Sequence, residues 1–272
     1  MSSSPTATPS TFSQVDQSGA TSFLVDFLDR TAEAHFAHIN QRSYDLLQLH
    51  SGAKVLDAGC GTGDSARQIR NFLGEQGDVV GVDTSQNMID LARERDASSQ
   101  YRSTFEVADI QHLPFEASTF DACRVSRVLL HVPDPEAALQ ELIRVTRSKS
   151  PVVAIEPDFE TLIMAHPDRE TTRIVRNCFC DSFANGTVGR WLPVLFRRLG
   201  LNKVRCEPYT ISVTAEFLLE SFRIGDAAQK AEQMQLISPA QTQSFLDRLH
   251  QAKEQGDFFA AATVFLVSGD KH

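Results

Sequence analysis

The chain has 272 residues, 42% hydrophobic and 22% charged, an ordinary globular balance with enough apolar material for one or two domains. Acidic residues outnumber basic ones by 35 to 26, giving a formal charge of -9 that argues against general affinity for phosphate backbones or anionic membranes. The longest apolar stretch, residues 258–267, is too short to span a bilayer, and no signal peptide is expected because no apolar run precedes Arg30, the first basic residue. A cytoplasmic protein without nucleic-acid or membrane partners is therefore expected. The five cysteines (Cys60, Cys123, Cys178, Cys180 and Cys206) match no zinc or redox spacing and read as free thiols.

Residues 1–20, rich in Ser, Thr and Pro, are expected to form a flexible tail, and residues 21–272 a single domain. Over residues 21–49, Phe23, Leu24, Phe27 and Leu28 recur at helical spacing. Strand and helix patterns then alternate. Strands are predicted at 53–57, 78–82, 104–107, 120–125 and 151–155, and helices at 64–73, 85–95 and after Asp134-Pro135-Glu136, where Asp suits the cap and Pro the first helical position. Such alternation specifies an α/β fold with a parallel sheet covered on both faces. Beyond Pro157 the order changes: residues 168–200 and 215–255 read as helical, and 204–213 and 257–268 as strands.

The informative stretch is Asp57-Ala58-Gly59-Cys60-Gly61-Thr62-Gly63-Asp64, where a strand enters a loop with glycine at every second position and a helix leaves it. Glycine allows a sharp turn and lets a ligand approach the main chain. A dinucleotide loop would space its glycines G-x-G-x-x-G and place pyrophosphate on the helix N-terminus. Here the third glycine is one residue early, and Asp57 and Asp64 would repel a pyrophosphate while welcoming an ammonium and a sulfonium. Asp83, twenty residues beyond Gly63, is placed to accept the hydroxyls of a ribose. Asp109-Ile110, after the third strand, could offer a carboxylate to an adenine amino group and an apolar neighbour to its ring.

These residues resemble the class I S-adenosylmethionine-dependent methyltransferases, in the branch that includes quinone-biosynthesis and many natural-product enzymes. Residues 55–63 are similar to the family's first motif and Gly81-Val82-Asp83-Thr84-Ser85 with Met88 to its second. Residues 109–120 and 127–135 are similar to its third and fourth, and the likeness covers residues 45–160. The resemblance implies a Rossmann-like, mostly parallel sheet of seven strands, the last antiparallel and formed by residues 257–268. It implies S-adenosylmethionine as cofactor, with Asp57, Gly59 and Gly61 (Gly63 in the same loop) at its methionyl part. Asp83 belongs to the ribose, with Met88 from the same motif also at the cofactor, Asp109 and Ile110 to the adenine, and the backbone at Ser126 and Arg127 lines the methionyl end. Where the family usually turns on Pro-Gly-Gly before the fifth strand, this chain has Ser148-Lys149-Ser150-Pro151.

Methyl transfer is a direct displacement that needs alignment more than acid–base chemistry, and a base only where the acceptor must lose a proton. His131 is the candidate base; a structural role in the turn before Asp134 is its alternative. His35 and His38 read as surface histidines. Lid elements are expected from 21–49, 159–190 and 215–255, with Phe23, Phe27, Glu156, Phe159 and Trp191 as candidate pocket residues for a small apolar or aromatic acceptor methylated on O, C or N. No metal is called for, and a homo-oligomer is compatible with the chain. Two rival readings are a relative that binds the cofactor without methylating, as a binding module or cyclase, and a nicotinamide-dependent oxidoreductase, which the glycine spacing and flanking acids disfavour.

Overall fold

A computed structural model describes Phe12 and residues 15–19, 21–34 and 36–272. In chain order the elements are α1 (Val15–Ser18), α2 (Thr21–Ala34), α3 (Ala37–Leu46), β1 (Lys54–Ala58), α4 (Asp64–Leu73), β2 (Asp78–Asp83), α5 (Gln86–Asp96), β3 (Thr104–Val107), β4 (Ala122–Ser126), α6 (Pro135–Val145) and β5 (Pro151–Met164). There follow α7 (Arg169–Cys180), α8 (Val188–Arg198), β6 (Asn202–Val213), a π-helical turn (Phe217–Ser221), α9 (Ile224–Gln233), α10 (Pro239–Gln255) and β7 (Ala260–Asp270). The strands form one sheet in the order β3-β2-β1-β4-β5-β7-β6, with β7 antiparallel to both neighbours. The seven-stranded, Rossmann-like α/β architecture is as the sequence implies.

The central strands β1, β2 and the first part of β5 are largely apolar on both sides because both faces are covered there. Along β1, Val55 joins the core under α3, α4 and α5, while Leu56 joins the core under α6 and α8; Val79 and Val80 divide the same way along β2. The chain leaves β1 toward β2 on one side and returns through β4 on the other, so the carboxyl ends of β1 and β4 diverge around a crevice where such sheets bind ligands.

Local chemistry fixes the helix starts. Asp134 accepts hydrogen bonds from the Glu136 and Ala137 amides, both at 3.0 Å, with Pro135 at the first helical position of α6. Ser238 and Gln241 close a reciprocal capping box on α10. Ser85 caps α5, accepting from the Met88 amide at 3.1 Å.

Several elements differ from expectation. The fifth strand runs nine residues past Ile155. Its first part pairs with β4 at Val152–Ile155, whereas the stretch from Glu156 onward is held by β7 alone, with a bulge between Asp158 and Ile163. Pro157 and three acids disguise that extension in the sequence. The fourth strand starts at Ala122, Phe120 contributing a single bridge to Thr146. The helical stretches 168–200 and 215–255 are broken at 181–187, at 222–223, where Arg223 takes a left-handed φ of 52°, and at 234–238. Most of the expected tail lies outside the described residues, but Val15 is buried, and the side chain of Asp16 accepts from the Ser85 hydroxyl at 2.5 Å and the Gln86 amide at 2.8 Å.

Candidate cofactor and acceptor site

The glycine loop hooks over the end of β2: the amides of Gly59 and Cys60 both donate to the Val82 carbonyl, at 2.7 and 2.9 Å. Gly59, Gly61 and Gly63 all have positive φ (70°, 50° and 79°), which other residues adopt at a cost. They do different things. Gly59 and Gly61 line a cavity; Gly63 does not. A Cβ on Gly63 would lie 2.8 Å from the Phe105 ring and 3.0 Å from Ala92, so this glycine lets α4 approach β3 and α5. A Cβ on Gly59 would strike Val128 at 2.1 Å.

Asp57, at the end of β1, is 2% exposed, and one of its oxygens accepts from the Arg124 guanidinium at 3.0 Å. Burial raises its pKa and Arg124 opposes the rise. Its second oxygen, Oδ2, is buried with no hydrogen-bond partner in the structure. Asp83 accepts the Gly61 amide (2.9 Å) on one oxygen and the Ser85 amide (3.0 Å) on the other. Each carboxylate oxygen has further accepting capacity, so these bonds aim the group without exhausting it. Burial raises the Asp83 pKa, partly offset by the two amides. Asp109 is half exposed and fixed by the Gln111 amide at 2.9 Å; Ile110 beside it is buried.

All of these groups line one cavity of about 290 Å³. Met88, Ser126 and Arg127 also reach it. Arg127 holds a strained positive φ of 58°, its amide donates to the Ile155 carbonyl at 2.8 Å, and its guanidinium lies 4.4 Å from the centroid of the Phe36 ring. Burial lowers its pKa to about 10. The cavity continues into a chamber walled by Phe12, Phe27, Phe159, Phe183, Phe217 and Phe222. These rings pack edge-on or tilted, at 4.7 to 6.3 Å between centroids. His131 sits at the junction, between Phe12 (5.4 Å) and Phe183 (5.7 Å), and burial together with the Arg127 charge pushes its pKa down to about 3.

Four expected site residues stand elsewhere. Gly63 serves packing, as above. Phe23 packs beside Val15, Leu24 and Met88, and is not in the cavity wall. Trp191 is 54% exposed on the outer face of α8. Glu156 is fully buried behind the chamber: its Oε1 accepts the amides of Val128 and Leu129, each at 2.8 Å, bracing the strained turn after β4. Burial lifts its pKa to about 7 against those amides. Of the two N-terminal histidines, His38 is exposed and packs edge-on against Tyr209, and His35 lies outside the described residues.

Arg124, with its partners Asn40 and Ser43, was missed. Its signal was a charge in the middle of the apolar strand Ala122-Cys123-Arg124-Val125, which a parallel sheet tolerates only if the charge is paired inside. The chamber phenylalanines from α2, β5 and the 217–222 turn carry no spacing signal, because they converge from distant segments.

A sheet with this order, carrying an acid-flanked glycine loop at its switch point, defines a methyltransferase-type fold, and comparison with known proteins agrees. A methyltransferase-domain family model matches residues 49–195. The chain is 33% identical over 257 residues, 89% of its length, to an uncharacterized 37.1 kDa protein of a Streptomyces fradiae transposon, covering 70% of that protein. It is 28% identical over 189 residues to a demethylmenaquinone methyltransferase of Bacillus cereus, covering 64% of this chain and 80% of that one. Among solved structures, the Bacillus subtilis protein YcgJ superposes with a TM-score of 0.60 at 16% identity, over 87% of this chain and 99% of that one. The chain belongs to the methyltransferase family, in its class I, S-adenosylmethionine-dependent form.

The residues fit that cofactor. Asp57 offers a buried carboxylate oxygen that would suit its ammonium, Asp83 a fixed acceptor that would suit ribose hydroxyls, and the Asp109–Ile110 pair a polar and an apolar group that would suit an adenine. Four carboxylates around one cavity (Asp57, Asp64, Asp83 and Asp109) suit a cation and oppose a pyrophosphate. Among the described residues no helix is long and apolar enough to cross a membrane.

Proposed function

We propose that this protein transfers a methyl group from S-adenosylmethionine to a small, apolar or aromatic acceptor held in the phenylalanine chamber. One observation carries the reading: the same cavity is lined by the acids around the glycine loop and by a group of phenylalanines. When bound, the cofactor supplies an electrophilic methyl on a sulfonium. Asp57 and Asp83 would hold its two polar ends and Ile110 and Met88 its apolar flank. The phenylalanines exclude water and fix an acceptor ring by its faces and edges, so that much of the rate comes from alignment in a dry site.

His131 is the polar group at the junction. With a pKa near 3 it is neutral at physiological pH, so it positions an acceptor hydroxyl or amino group by hydrogen bonding and is a poor base for a neutral phenol. An acceptor that is already nucleophilic, as a quinol carbon or a readily ionised hydroxyl is, suits such a site. The B. cereus relative's name makes a demethylated naphthoquinol the first acceptor to try.

The test is incubation with S-adenosylmethionine and, separately, that naphthoquinol, a catechol and an aliphatic amine, following S-adenosylhomocysteine release and product mass. Methylation of an aromatic acceptor, with one S-adenosylhomocysteine per methyl, is expected. Methylation of the amine alone would contradict the aromatic reading.

A further inference from the structure

We propose that Arg124 is a positioning residue for the methionyl end of the cofactor, keeping Asp57 ionised and turning its free oxygen toward the bound ammonium. The inference rests on the cofactor reading above and assigns a task to a side chain that reading does not use.

Arg124 is on β4, directly across from Asp57 in the parallel register of β1, and both side chains are 2% exposed. Its guanidinium is committed on three sides: to Asp57 Oδ1 at 3.0 Å, to the Asn40 side-chain oxygen at 2.8 Å and to the Ser43 hydroxyl at 3.1 Å. The Tyr44 ring lies 5.5 Å from it. The planar donor fork therefore takes one Asp57 oxygen and leaves Oδ2, buried and without a hydrogen-bond partner, in a residue that lines the cavity. A carboxylate so enclosed would hold a proton without a nearby cation, and a protonated acid has nothing to offer an ammonium. The other titratable groups around it are Tyr44 on α3, Cys60 and Asp64 at the ends of the glycine loop, Asp83 at the end of β2 and Arg127 after β4. Arg124 is the cation that touches it. Through Asn40 and Ser43 the same guanidinium ties α3 to the cofactor acid.

The experiment compares two probes, S-adenosylhomocysteine, which carries the amino-acid end, and 5′-methylthioadenosine, which lacks it, binding to wild type, Arg124→Gln and Arg124→Lys. In Arg124→Gln, S-adenosylhomocysteine binding at pH 7 is expected to weaken at least tenfold while methylthioadenosine binding stays within threefold. The lost affinity should return in part as the pH is raised and Asp57 ionises, whereas wild type stays flat. Arg124→Lys, which keeps the charge, should hold S-adenosylhomocysteine within threefold, and it carries the test if Arg124→Gln does not fold. Equal loss of both probes, no loss of either, or an Arg124→Lys variant that binds S-adenosylhomocysteine no better than methylthioadenosine would overturn the proposal. Failure of wild type to bind either probe would instead overturn the cofactor reading beneath it.

Discussion

Two titratable side chains, Glu156 fully buried and His131 partly buried, shift in opposite directions, and each sets a pH signature. Glu156 has a folded-state pKa of about 7 against an ordinary value of 4.5, so the native state binds its proton more tightly than the unfolded chain does. Its ionisation therefore costs stability as pH rises from 4.5 to 7, on the order of 3 kcal/mol by the two values. Glu156→Gln keeps an oxygen for the Val128 and Leu129 amides and removes the titration. Urea unfolding at pH 5 and pH 8 should show the variant gaining on wild type at the higher pH; parallel behaviour would show that Glu156 is not the titrating group. His131 has its pKa depressed, so the folded state resists its protonation and loses stability as pH falls through 6.5 toward 3. His131→Phe preserves the contacts with Phe12 and Phe183 and should remove that acid-side loss. It should also lower kcat/KM for the acceptor without changing cofactor affinity, and a matching loss of cofactor affinity would contradict the placement of His131 on the acceptor side.

At the scale of elements, the turns that shape the site are set by steric demands the structure makes measurable. Gly52 and Gly59 both have positive φ, but a Cβ on Gly52 meets nothing within 4 Å while one on Gly59 strikes Val128. Gly52→Ala should cost only the backbone term, about 1–2 kcal/mol. Gly59→Ala should cost more in thermal denaturation and, by moving Val128, weaken cofactor binding; equal melting temperatures would refute the distinction. Asp134→Ala removes the two cap bonds of α6 and should cost about 1 kcal/mol with cofactor affinity intact. Elements of this kind were legible in the sequence. Glycine spacing, Asp before Pro and apolar strand runs are local signals, and they located the strand–loop–helix unit and the acids that line the cavity. The length of β5 was not legible, because the β7 pairing that holds residues 156–164 is remote in sequence. Glu156 was misread for the same reason: a carboxylate after a strand suggests a cavity group, and only the fold shows the amides of the β4 turn converging on it.

Over the whole molecule, the sheet does the organising. Its order opens a crevice at the ends of β1 and β4, the antiparallel β7 extends β5 past that crevice, and α2, β5 and the 217–222 turn bring phenylalanines over it. The acids that line the cavity come from one continuous stretch, residues 57–109, and could be read from motifs. The phenylalanines that line it are as far apart as Phe12 and Phe222, so only their aromatic character was legible. The central claim is that the acid-flanked cavity holds S-adenosylmethionine through Asp83, and calorimetric titration of wild type and Asp83→Ala with S-adenosylhomocysteine tests it most directly. Micromolar binding that the substitution weakens tenfold or more, about 1.4 kcal/mol, is the predicted result; no binding to the folded wild type, or equal binding to both proteins, would contradict it.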